Sequence, residues 1–318
     1  MSKNVKAINI NSVVDFLAQI SIISDFDKTE VKTFTLYYRG EPDCYENVQA
    51  GIFRISQKTG RSVCEIENEL IENAKLKYPE IVRDCVDDLD ALVRLQHYLL
   101  PTRLLDVTRN PLIALFFACF DETGKNDEKN GRVLVCKKQE TPYERIKALA
   151  SLIDCYMYCK YSNIKRTLEE KGINVDANKR RQDEFMDDMI KPHLFVAPQN
   201  NPRIRFQDGA FIFSTLRYLD KDNRSSSNFK MLKNVKYDNL FTATKKRLLY
   251  YPTEWVGLND MFESIVFIVD SHIKKSILYQ LDTLGINEAS IYPEYEHQMK
   301  YIKKSYETKI EHSPTFDI

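Results

Sequence analysis

Gln96-His97-Tyr98-Leu99-Leu100-Pro101-Thr102-Arg103-Leu104-Leu105-Asp106-Val107-Thr108-Arg109-Asn110-Pro111 runs straight into Leu112-Ile113-Ala114-Leu115-Phe116-Phe117-Ala118-Cys119-Phe120. Asn110 is a good N-cap and Pro111 suits the first helical position, so a helix starts there. Its residues are apolar all round, which predicts a short buried helix. Upstream, Val86, Leu89, Val93 and Leu100 mark another helix, stopped by Pro101. Between the two lie Gln96, His97, Tyr98, Thr102, Arg103, Asp106 and Thr108. Buried polar groups need partners, so this stretch forms either a satisfied network or a site. On the plain structural reading Asp106 and Thr108 cap the next helix start, and His97 is a core hydrogen-bonder.

Outward from that stretch, the period of the apolar residues changes repeatedly. Asn11 to Ile23 carries a helical stripe at Val13, Val14, Phe16, Leu17, Ile20 and Ile23. Phe34 to Arg39 reads as a strand ending at Gly40, and Arg61 to Lys77 as a helix. Gly131 to Lys137, Ala210 to Thr215, Leu240 to Tyr251 and Ser264 to Asp270 read as further strands. Tyr143 to Tyr161, His272 to Leu284 and Tyr295 to Ser305 read as helices, the second closed by Gly285 at the C′ position. Helices and strands alternate irregularly, which predicts an α+β fold with a single mixed or antiparallel sheet flanked by helices. A helical lead-in over 1–30, a domain over 31–300 with a helical insertion near 140–190, and a tail over 301–318 complete the expected layout.

Composition narrows the function classes. Of the 318 residues 43% are hydrophobic and 29% charged, which is globular composition. Lys plus Arg and Asp plus Glu both number 46, so no net field steers the chain to nucleic acid or an anionic membrane. The short basic runs Lys179-Arg180-Arg181 and Lys245-Lys246-Arg247 read as solvated surface. No secretory leader and no stretch of membrane-spanning length is visible, and the 7 scattered Cys fit a reducing, cytoplasmic setting. Cys155 and Cys159 share a helix face without a second pair, which favours packing over a metal site. Dinucleotide fingerprint, phosphate loop, hydrolase elbow, zinc-protease motif and kinase set are all missing.

Two more clusters accompany the central one. Tyr37-Tyr38-Arg39-Gly40-Glu41 ends a strand with a guanidinium at a cleft rim, where its planar fork suits phosphate or carboxylate. Pairing of Arg39 with a structural Asp such as Asp106 accounts for it equally well. Asn201 through Arg203, Arg205, Gln207, Gly209 and Phe213 reads as a strand entry, with Arg205 and Gln207 on one side by the period of two.

Together these residues resemble the FRG domain family, through Tyr38-Arg39-Gly40, Gln96-His97-Tyr98 with Pro101 to Asp106, Asn110-Pro111, and Arg203 with Gln207 to Phe211. Lys274 to Pro293 is similar to the family's closing segment, a helix, Gly285-Ile286 and a strand reaching Tyr292-Pro293. This chain departs from the pattern at Leu100, where a Gly is usual, at Val107 for Trp, and at Glu41 for Gln. The motif order also resembles that of ADP-ribosyltransferases, which implies a split sheet and NAD as substrate, with no tightly bound cofactor. Arg39, His97 and Gln207 would then be catalytic. Tyr38, Gln96, Tyr98, Thr102, Arg103, Asp106, Thr108 and Arg205 would bind substrate, and Glu294 is an alternative late polar group. The resemblance further implies a bacterial or phage defence or toxin setting. A non-catalytic module for a nucleotide-type small molecule, nucleic acid or protein partner stands beside the enzyme reading, with nucleic acid the weaker partner and no membrane.

Overall fold

A computed structural model describes residues 6–27, 35–61, 63–152, 191–199, 201–214 and 258–311, with positions 166, 169, 170 and 188. The strand expected at Leu240 to Tyr251, most of the 140–190 insertion, Cys155, Cys159 and both basic runs lie outside the described residues. Seven strands are β1 (Lys6–Ile10), β2 (Leu36–Glu41), β3 (Leu104–Thr108), β4 (Gly131–Lys137), β5 (His193–Phe195), β6 (Gly209–Phe213) and β7 (Ile265–Val269). They hydrogen-bond into one mixed sheet in the order β1-β7-β4-β2-β3-β6-β5, parallel only between β1 and β7.

Helices cover both faces because the central strands alternate their burial. On β4, Val133 and Val135 join the cluster of α1 (Val13–Asp27), α6 (Pro111–Cys119) and the helix Lys274–Thr283, here α9. Leu134 and Cys136 point the other way, with Tyr37, Leu105 and Val107, into the cluster of α2 (Gly51–Thr59), α3 (Val63–Lys77), α5 (Asp88–His97) and α7 (Tyr143–Ala150). The remaining described α-helices are α4 (Pro79–Val82), α8 (Pro202–Phe206), α10 (Glu288–Ile291) and α11 (Tyr295–Glu311).

The seating of α6 explains the Arg-Gly pair. A Cβ on Gly40 would lie 1.8 Å from the Ala114 carbonyl oxygen, and one on Gly131 1.9 Å from that of Ala118. Both glycines let the buried helix lie against the backbone of β2 and β4. Asn110 caps α6 as expected, accepting from the Leu112 N–H at 3.0 Å.

Several expectations are corrected. Leu104 to Thr108 is a strand, paired with β6 along its length, with Leu104, Leu105 and Val107 buried in the core and Asp106 exposed. Arg203 and Arg205 sit on short helix α8, not on a strand, because Asn201 caps a helical turn with Pro202 at its first position. Glu288 to Ile291 is likewise helical, through a reciprocal capping box between Asn287 and Ser290. Helix α5 ends at His97, before Pro101, and α11 runs to Glu311. Of the helix expected from Tyr143 to Tyr161, Tyr143–Ala150 is formed, a turn follows at Ser151 and Leu152, and the remainder lies outside the described residues.

Candidate functional site

At the centre of the sheet β2 and β3 share a single register pair, Tyr38 with Thr108, whereas β2 pairs with β4 over six positions. A cavity of about 380 Å³ opens along this seam. Its walls come from Tyr38, Arg39 and Gly40 of β2, Leu104 to Thr108 of β3, and Gly209 to Phe211 of β6. Gln96 and His97 of α5, Arg54 of α2, Phe117 of α6, and Arg203 of α8 with the adjoining Gln207 complete it. The size is that of a small-molecule site.

Arg39 is held by two hydrogen bonds at the cavity wall. Its Nε donates to Glu41 Oε1 at 2.8 Å and its Nη1 to the Asp106 carbonyl oxygen at 2.9 Å. Buried Glu41 also receives Arg132, at 2.9 Å through Nε and 2.7 Å through Nη2. One carboxylate therefore serves two guanidiniums, which keeps this corner cationic; a Gln here would neutralise neither. Arg54 stands nearby with no ion pair among the described residues, and burial, then the neighbouring Arg39, lower its pKa. Arg203 approaches from α8 and lies over the Tyr292 ring at 4.6 Å.

The central polar stretch forms an ordered chain of hydrogen bonds. The Leu104 N–H can only donate, and it does so to Thr102 Oγ1 at 3.1 Å. The Thr102 hydroxyl in turn donates to Gln96 Oε1 at 2.8 Å, so the Gln96 amide turns its Nε2 to Asp106 Oδ2 at 2.9 Å. Asp106 thus accepts from a neutral amide and caps no helix. Thr108 does take the expected capping role, accepting from the Asn110 N–H at 3.0 Å while donating to the Gln207 carbonyl at 2.5 Å.

His97 is mostly buried at the end of α5, edge-on to Tyr98 with ring centroids 5.0 Å apart. Its Nε2 lies 3.4 Å from Glu294 Oε1, while its Nδ1 and Glu294 Oε2 have no hydrogen-bond partner among the described residues. Burial, followed by Arg203, lowers its pKa against the pull of Glu294, so the neutral ring is favoured near pH 7. Gln207 spends its amide on the Ile291 carbonyl at 3.3 Å. Burial pushes the Tyr38 hydroxyl up to about 12, so it stays protonated.

Of the residues expected at the site, Arg39, His97, Gln207, Tyr38, Gln96, Asp106 and Thr108 come together around the cavity. Tyr98, Thr102, Arg103 and Arg205 do not line it. Arg103 is fully buried and grips Glu67, which takes its backbone N–H at 2.9 Å and its Nε at 2.5 Å. Thr102 acts from behind Gln96, and Tyr98 and Arg205 are exposed. Sequence reading missed Arg54, Phe117 and Phe120. Arg54 belongs to α2, whose short amphipathic pattern at Ile52, Phe53 and Ser56 was the available signal.

The model of the FRG domain matches residues 35–127, so that stretch reads as an FRG domain. It spans β2 to α6 and holds Arg39, Arg54, Gln96, His97 and Asp106, while Arg203 and Gln207 lie beyond it. No curated protein and no solved structure matches the chain. No described helix is long and apolar enough to cross a membrane. Among the described residues, no three His, Cys, Asp or Glu side chains gather as a metal would require.

Proposed function

We propose that the cavity binds a nucleotide-type anion, with its phosphates on Arg39 and Arg54. The observation that carries this is the charge of the lining: Arg39, Arg54 and Arg203 face the space, and Asp106 is the one carboxylate among the lining residues. Arg39 shares its one carboxylate with Arg132, and Arg54 has no ion pair among the described residues, so a bound phosphate would gain charge-assisted hydrogen bonds from both. Phe117 and Phe120 give the same space an apolar aromatic side suited to a base.

Two readings of the activity follow from this site. In the first, NAD is the substrate of an ADP-ribosyltransferase-like or NAD-hydrolysing reaction. Arg39 would hold the pyrophosphate, His97 would position the nicotinamide ribose, and Gln207 would orient the 2′-hydroxyl; exposed Tyr98, outside the cavity lining, takes no part. Support comes from Arg39, His97 and Gln207 lining one cavity. A Gln cannot accept a proton as a base, so this chemistry would draw on electrostatic stabilisation alone at that position. The defence or toxin setting belongs to this reading. In the second, the same pocket senses a nucleotide without turning it over, or serves a nucleic-acid or protein partner. The burial of Arg103 against Glu67 weakens an extended basic surface.

NAD consumption by the purified chain, with melting shifts for NAD, ADP and inorganic phosphate, separates them. NAD loss abolished by Arg39→Ala and by His97→Ala supports the reaction. Melting shifts without turnover support the sensor, and no shift with any of the three overturns the anion site.

A further inference from the structure

We propose that Asp106 accepts the sugar hydroxyls of the bound ligand, making the cavity selective for ribonucleotides over 2′-deoxyribonucleotides. This rests on the nucleotide reading and adds the part of the ligand that the guanidiniums do not explain. A carboxylate in a phosphate pocket repels the phosphate unless a cation neutralises it. No guanidinium forms an ion pair with Asp106 among the described residues. Its Oδ2 is held by the neutral amide of Gln96 at 2.9 Å, and its Oδ1 has no hydrogen-bond partner among the described residues. Turning the Gln96 oxygen to the carboxylate instead would set two acceptors against each other and lose the hydrogen bond donated by the Thr102 hydroxyl. Asp106 is therefore held through Oδ2 at the cavity wall, with Oδ1 left as an acceptor for a ligand. Such a group calls for neutral donors on the ligand, and vicinal hydroxyls supply two.

The same residue meets Arg39 on its other side, where Arg39 Nη1 donates to the Asp106 carbonyl at 2.9 Å. The phosphate-binding fork on β2 and the carboxylate on β3 thus adjoin across the seam. That closeness matches a phosphate and its own sugar, and the far edge of the base would lie away from Asp106, toward Phe117 and Phe120.

Calorimetric titration of the full chain with ADP, 2′-deoxyADP, GDP and inorganic phosphate tests this, in the wild type and in Asp106→Asn. A hydrogen bond to a charged acceptor contributes roughly 1.5–3 kcal/mol, so ADP should bind at least about tenfold tighter than 2′-deoxyADP. In the isosteric Asp106→Asn variant, with unchanged melting temperature, the ratio should fall toward one. Equal affinities for ADP and 2′-deoxyADP in the wild type, or a preference that survives the substitution, would overturn the proposal while leaving the anion site standing. GDP bound tightly with no sugar discrimination would overturn it in favour of base-edge recognition by Asp106. Absence of binding by all four probes would overturn the nucleotide reading itself, and this inference with it.

Discussion

Leu99 shows how a single residue beside the cavity can carry backbone strain. Its N–H bonds the Gln96 carbonyl and the Leu100 N–H bonds that of Leu95, closing α5 with a Schellman motif. The C′ position of that motif needs a left-handed backbone, and Leu99 supplies it at φ 64°. Helix α9 ends in the same motif with Gly285 at φ 77°, the residue suited to it. Leu99→Gly should therefore stabilise the chain by about 0.5–1 kcal/mol, read as a rise in chemical-denaturation midpoint. The family resemblance led to a glycine being expected at Leu100, whereas the strained backbone is one residue earlier; spacing alone does not say which residue of a turn takes positive φ. Buried Arg103 gives a second residue-scale prediction. Glu67→Gln removes the carboxylate paired with this buried guanidinium and should cost about 3–5 kcal/mol, measurable in the same unfolding experiment. Arg103 looked like a ligand group in sequence because nothing in its own neighbourhood names Glu67 as partner; the two are 36 residues apart.

At the scale of elements, the contact of α6 with β2 decides the architecture. Gly40→Ala places a methyl group against the Ala114 carbonyl and the Ala118 N–H, both backbone, so the helix must lift from the sheet. Overpacking of this kind costs about 1–3 kcal/mol or more, and thermal melting should show it even though Gly40 carries no side chain to the ligand. Most of this framework was legible in the chain: α1, α3, α6 with its Asn110 cap, and strands β2, β4, β6 and β7 all follow their apolar periods. Strand β3 was obscured because its exposed Asp106 and its capping Thr108 look like helix-start chemistry. Helix α8 was read as extended, since five residues give too little periodicity to outweigh the strand that follows. The cavity itself was half legible. The motif residues of β2 and α5 pointed to it, but Arg54, Phe117 and Phe120 reach it only through the packing of α2 and α6 across the seam.

For the whole molecule, two buried histidines set an expected acid limit. Burial lowers the pKa of His97, and it lowers that of His193, whose ring also contacts Thr141 Oγ1 at 3.2 Å and the Asp188 carbonyl at 2.8 Å. The unfolded chain, with histidine pKa near the usual ~6.5, then binds more protons than the folded one just below that pH. Their stabilising contribution is fully present above about pH 6.5 and drains away as pH falls through the depressed folded values. Melting temperature should fall from pH 7 to 5.5, and His193→Gln should flatten that slope. The central claim is the anion site at the seam of the sheet. Titrating ADP into the wild type, Arg39→Ala and Arg54→Ala by calorimetry tests it most directly. The account predicts binding in the wild type that weakens at least about tenfold in each variant, as the loss of one charge-assisted contact requires. Equal affinity in all three proteins, or no binding of ADP to the wild type, would contradict it.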